Sequence, residues 1–267
     1  MVFDFFARRR RSRLRMTPFP ESWRVILTEN VPLYQRLTSQ HQQDVEGHVR
    51  VLIAEKHFEG CGGLVLTDEI RVTIAGHAAL LLLGREPHYF PRLVSILVYP
   101  STYVVDTEER DGMVVTEHAE ERLGESWKTG VVVLSWDAAR AGARELRDAS
   151  NLVLHEFAHQ LDSEDGRSDG VPLLDRAGDY AAWARALEPE YRKLQSEPER
   201  SLLDEYGATN PAEFFAVATE AFFERPRELK ERHPALYAEL SAFYHLDLAT
   251  DGAPQPSTET QNDHPQR

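Results

Sequence analysis

His155-Glu156-Phe157-Ala158-His159 puts two imidazoles and a carboxylate within five residues. On a helix, residues four apart share a face, so both imidazoles can reach one metal ion. Zinc accepts such nitrogen donors, and a carboxylate beside it can take a proton from a water that the ion has acidified. The stretch therefore carries most of a zinc hydrolase site, with His155 and His159 as ligands and Glu156 as the base. Leu152, Val153, Leu154, Phe157, Ala158 and Leu161 are apolar. They put the motif on a helix packed into a core, where ring nitrogens need partners.

A catalytic zinc keeps three protein ligands and one open position. After His159 come Gln160, Leu161, Asp162, Ser163, Glu164 and Asp165, without the glycine and third histidine of the metzincin pattern. The third ligand must then come from another element. Downstream, Asn210 can cap a helix whose first turn suits Pro211. Glu213 and Glu220, seven apart on that apolar helix, lie near one face. A carboxylate carried there calls for a partner, and a metal is a good one. Spacing alone leaves both glutamates open. Asp162, three residues after His159, either accepts the other N–H of a ligating histidine or is a helix-end charge. Val131, Val132, Val133 and Leu134 read as a strand. As an edge strand beside the motif helix, they would hold an extended peptide by strand addition.

HEFAHQLD at 155–162 and YGATNPAEFFAVATEAFF at 206–223 resemble the Mlc titration factor A family of zinc peptidases. The same two motifs are similar to the catalytic domain of anthrax lethal factor. PLYQRLT from residue 32, ILVYPSTYVV at 96–105, GESWKTGVVVLSW at 124–136 and DGRSDGVP at 165–172 extend the likeness over most of residues 20–248. The resemblance implies a zincin-like fold and one zinc ion per chain, with His155, His159 and Glu213 as ligands and Glu156 as the catalytic glutamate. It gives Tyr206 the role of hydrogen-bond donor to the oxyanion. Glu220 then falls behind the ligands or into an ion pair. The implied activity is aminopeptidase-like, on small peptides. The family is named for sequestering the glucose repressor Mlc, so a regulatory protein with a transcriptional repressor as partner is the alternative. No motif here carries that contact, and the presence of Glu156 and Tyr206 favours the enzyme.

The elements must form around this site. A chain of 267 residues, 42% hydrophobic, suits one domain over 20–249 between disordered tails at 1–19 and 250–267. Helical patterning runs over 21–58 and 70–83. Strands are expected at 64–66, 95–99, 103–105 (pairing with 113–116) and 131–136. A short helix from Asp137 and the motif helix at 149–161 follow. After an acidic loop at 162–170 come helices at 175–196, 211–224 and 234–245. The class is α+β, mainly helical, with a small antiparallel-containing sheet beside the motif helix.

Cys61 is the single cysteine, so no intrachain disulfide forms and a reducing compartment suits the chain. The longest apolar run, Ala78 to Leu83, is far short of the about 20 residues a membrane span needs. At the N-terminus the apolar residues precede the arginines, the reverse of a signal peptide. The expectation is a cytoplasmic protein. Net charge is −14, although the first sixteen residues hold six arginines against one aspartate. So acidic a body disfavours general nucleic-acid binding. The basic arm reads as solvated, with anionic lipid, nucleic acid or the acidic body itself as contacts within its reach.

Overall fold

A computed structural model describes residues 2–101, 103–111, 114–122, 124–127, 130–144 and 150–250. The helical stretch expected over 21–58 divides into α2 (Glu21–Asn30), α3 (Pro32–Arg36) and α4 (Ser39–Glu55), with α1 (Val2–Met16) before them. The divisions follow local chemistry. Pro32 opens α3, and the Thr38 hydroxyl caps α4 by accepting from the His41 N–H at 3.3 Å. α5 (Asp68–Leu80) is capped in the same way by Thr67.

The strands are β1 (His57–Gly60), β2 (Ser95–Tyr99), β3 (Tyr103–Asp111), β4 (Val114–Arg122), β5 (Gly124–Trp127) and β6 (Val131–Ser135). The main sheet has the order β1-β2-β6-β5. Its body is parallel, with His57 opposite Ser95 and Ser95 opposite Val131. Where an antiparallel-containing sheet was expected, β1, β2 and β6 are parallel, and the antiparallel pairing in this sheet is that of β5 on β6. The parallel order follows from the helical connection, since α5 crosses over between β1 and β2. β3 and β4 form a separate antiparallel hairpin in which Glu109 faces Thr116, so its register differs from the expected pairing of 103–105 with 113–116. The strand expected at 64–66 is absent. β1 takes its place in the sheet, and residues 62 and 63 turn away through glycines with positive φ.

α6 (Trp136–Arg144), α7 (Leu152–Asp162), α8 (Asp179–Ser196), α9 (Pro211–Glu224), α10 (Pro226–Arg232) and α11 (Pro234–Tyr244) complete the helices. α9 is buried around its whole circumference, which an all-round apolar sequence requires. It packs against α7, α10 and α11. Trp183, Phe215 and Phe243 make edge and tilted contacts that extend through Tyr244 to Phe222 and Phe223. This cluster fixes α9 in place.

Residues 2–16, expected to lie in a disordered tail, form a helix against the body. α1 packs along α4, with Arg8 on Glu86, Arg11 on Glu55 and Arg15 on Asp44 at 2.8, 2.9 and 2.8 Å. The Arg11 guanidinium lies 4.8 Å over the Tyr89 ring. Gly47 lets the stem of Arg15 lie on α4, where an added Cβ would meet its Cγ at 3.2 Å. Composition suggests a solvated arm, whereas the body places acids where three of the arginines reach them. The C-terminal tail expected from residue 250 lies, beyond that residue, outside the described residues.

Candidate active site

The motif helix begins where Asn151 can cap it, its side-chain oxygen accepting from the Leu154 N–H at 3.1 Å. α9 begins likewise, with the Asn210 side chain accepting from the Glu213 N–H at 3.0 Å. Glu213 thus sits in the first turn of one helix, opposite two imidazoles on the other. His155 Nε2 and His159 Nε2 lie 2.9 and 3.1 Å from Glu213 Oε2, and 3.2 Å from each other. Three donor atoms about 2.0–2.2 Å from a tetrahedral ion would be about 3.3–3.6 Å apart. The triangle is slightly tighter than that, and two imidazoles with one carboxylate are a zinc-type donor set. These residues fit the ion.

Electrostatics follow from this closeness. Burial opposes a charge on His155, but its bonds to Glu213 and Glu220 outweigh that and hold the ring protonated well above the usual histidine range. Burial would raise Glu213, yet the two histidines bring it down to about 2. A metal ligand must be an unprotonated nitrogen, so a metal entering here displaces a proton from His155.

Glu220 lies two turns further along α9. Its Oε1 accepts from His155 Nδ1 at 2.8 Å, and its Oε2 accepts from the Asn151 backbone N–H. The contact with Nδ1 holds the orientation of the His155 ring. Asn151 extends the chain of bonds, donating its amide to Glu224 at 3.0 Å and to His77 Nδ1 at 3.2 Å. His77 Nε2 donates to the Asn30 carbonyl at 3.1 Å, and burial lowers His77 to about 4, so it is a neutral member of the network. Sequence reasoning missed Asn151, His77 and Glu224. The cap residue before the motif was the one signal that could have exposed the first. The other two sit on apolar helices with no motif of their own.

Glu156 is buried on α7, close enough to His155 to act on its charge. Tyr206 lies in a 3-10 turn, Glu205–Ala208, held by the Asp204 side chain, which accepts from its N–H at 2.8 Å. Its ring is 5.9 Å from that of His155 and 54% exposed, at the mouth of the site. Gly207 lets this turn settle onto α8 and α9, facing Leu194 and Val217.

Asp162, the last residue of α7, is fully buried, and its Oδ2 accepts from the Gly170 N–H at 3.0 Å, drawing in the acidic loop. One expectation is corrected. Val131, Val132, Val133 and Leu134 are bonded to β2 on one side and β5 on the other, so β6 offers no free edge. The terminal strand beside α7 is β5.

Residues 5–245 match the model of a family described as glucose-regulated metallo-peptidase M90. An uncharacterised protein of Synechocystis sp. is 42% identical, over 89% of this chain and 88% of its own. Proteins named Mlc titration factor A from Yersinia pestis and Yersinia pseudotuberculosis are each 33% identical, over 82% of both chains.

Proposed function

The chain belongs to the glucose-regulated metallo-peptidase M90 family, and from that premise we propose that it is a zinc-dependent peptidase acting on small peptides in the cytoplasm. The observation that carries the reading is the meeting of His155, His159 and Glu213 at one point beside the buried Glu156. His155, His159 and Glu213 would hold the ion, one per chain. Bound there, zinc supplies Lewis acidity, polarising a carbonyl and lowering the pKa of water. Glu156 takes the proton of the attacking water and passes it to the leaving amine. Tyr206 donates its phenol hydrogen to the developing oxyanion. Its exposure suits a group that is covered only when substrate lies across the site.

An extended substrate needs backbone partners, and β5 replaces β6 as the strand that supplies them. An aminopeptidase-like preference also needs a carboxylate for the substrate amine. Asp204 and Glu205 adjoin Tyr206 in the same turn.

The test is metal content and turnover on amino-acid anilides and short peptides, with free and blocked amino termini. Glu156→Gln should keep one zinc per chain and lose activity by about 100-fold or more. Glu213→Ala should lose the metal. Preference for free amino termini supports the aminopeptidase-like part; equal cleavage of blocked peptides removes that part alone. Stoichiometric zinc without turnover on any substrate would overturn the peptidase reading.

The name borne by the Yersinia relatives supports a second reading, a regulatory protein that sequesters a transcriptional repressor. A repressor that co-elutes equally with wild type and Glu156→Gln would favour it.

A further inference from the structure

α1 divides its arginines into two sets. Arg8, Arg11 and Arg15 face the body and pair with Glu86, Glu55 and Asp44. Arg9, Arg10 and Arg13 are exposed and have no ion pair among the described residues, although Arg10 also donates to the Ala54 carbonyl of α4 at 3.3 Å. At about 100° per residue, Phe5, Arg9, Arg13 and Met16 share the side opposite α4, with Phe6 and Arg10 on its flank. Phe5 and Phe6 are each 61% exposed and Met16 83%. The body-facing set neutralises the acids beneath the helix, so the outward charge is not cancelled locally. The remaining acidity lies behind a helix about 10–12 Å thick, more than the Debye length of about 8 Å at physiological ionic strength.

We propose that the outward face of α1 is a peripheral docking surface for an anionic lipid bilayer. Guanidiniums at headgroup depth meet lipid phosphates while their stems snorkel. Phe5, Phe6 and Met16 enter the interfacial region between headgroups and chains. A nucleic acid would satisfy the arginines, but the apolar groups lie at the two ends of the helix rather than between the charges. Such a polymer would also extend past α1 over the acidic body. A bilayer needs only the outer face, so α1 keeps its contacts with α4, and the face is separate from the metal site.

The experiment is co-sedimentation of the full chain with vesicles of phosphatidylcholine alone and of phosphatidylcholine mixed with phosphatidylglycerol. Wild type should sediment with the anionic vesicles only, and less so at high salt. Each arginine near an anionic surface contributes about fivefold, so Arg9→Ala/Arg10→Ala/Arg13→Ala together should bind about 100-fold more weakly. Phe5→Ser/Phe6→Ser should also reduce binding. The same number of charges removed at exposed Arg36, Arg140 and Arg192 should leave it intact, and the melting temperatures of all variants should match wild type. The proposal is overturned by equal binding to both vesicles, by none to either, or by undiminished binding of the triple variant. Binding to single-stranded RNA but not to vesicles also overturns it. Peptidase activity plays no part in the readout.

Discussion

At the scale of single residues, the site is built as two carboxylates on one imidazole. Glu213 approaches His155 at Nε2 and Glu220 at Nδ1. Only the first nitrogen faces His159 as well, so the two glutamates have different work. Glu220→Ala should leave the ligands present but the ring unfixed, weakening metal affinity about 10–100-fold. Titration against a chelating dye measures it, and an unchanged affinity would remove Glu220 from the site. Asp162 makes a separate prediction. Burial raises its carboxyl to about 6 from an ordinary 3.8, with the Gly170 N–H only partly opposing. The fold therefore favours the neutral acid. That contribution is complete below the unfolded value and is lost as pH rises through about 6. Chelator-treated wild type should lose stability across this window, and Asp162→Asn should flatten the slope in urea melts. A slope shared by both proteins would assign it to another group.

At the scale of elements, the loop after the motif helix is what brings two helices together. Gly170 donates its N–H to Asp162, and its carbonyl accepts from Trp183 Nε1 at 3.1 Å. Its φ is +77°, and an added Cβ would come within 2.3 Å of the Pro211 carbonyl oxygen. Pro211 opens α9 two residues before Glu213. Gly170→Ala should therefore cost about 1–3 kcal/mol through overpacking, with a further about 1–2 kcal/mol for left-handed backbone. Because the push falls on the start of α9, metal affinity should drop too. Thermal melts and metal titration read the two effects, and a destabilised variant with wild-type affinity would refute the link. A second loop is strained in the same sense: Tyr89 and Phe90 are buried at φ 59° and 49°. Lys56 holds it, donating to the carbonyls of Phe90 and Leu93 at 2.8 Å each, and His48 bonds the Tyr89 hydroxyl at 2.9 Å.

At the scale of the whole molecule, the metal should tie folding to occupancy. The residues proposed to hold it come from α7 and α9, which meet only in the native state. Metal that binds the fold and not the unfolded chain stabilises by about 2.7 kcal/mol when free metal is 100 times Kd. Chelation should lower the melting temperature of wild type and leave Glu213→Ala unmoved; the same shift in both would mean that the stabilising ion binds elsewhere. Charge is also organised at this scale. An acidic body carries one arginine-rich helix, and half of its arginines are spent on the body's own carboxylates.

The sequence by itself determined the motif, its helix, the second helix and the Asn210 cap that begins it, because caps and i,i+4 faces are local geometry. It also carried the family, through segments spread from residue 32 to residue 223. Spacing left Glu213 and Glu220 equivalent, since seven residues along one helix returns to nearly the same face, and the family resemblance was what favoured Glu213. The docking of α7 on α9 places His155 between the two. Strand order decided that β5 and not β6 is the edge, and nothing in a run of valines reports which strands flank it. The basic N-terminus looked solvated because charge pattern is local, whereas its partners Asp44, Glu55 and Glu86 are distant in sequence. Asn151 and His77 stayed hidden for the same reason. A buried hydrogen-bond chain is a property of several helices at once, and no one of them carries its pattern.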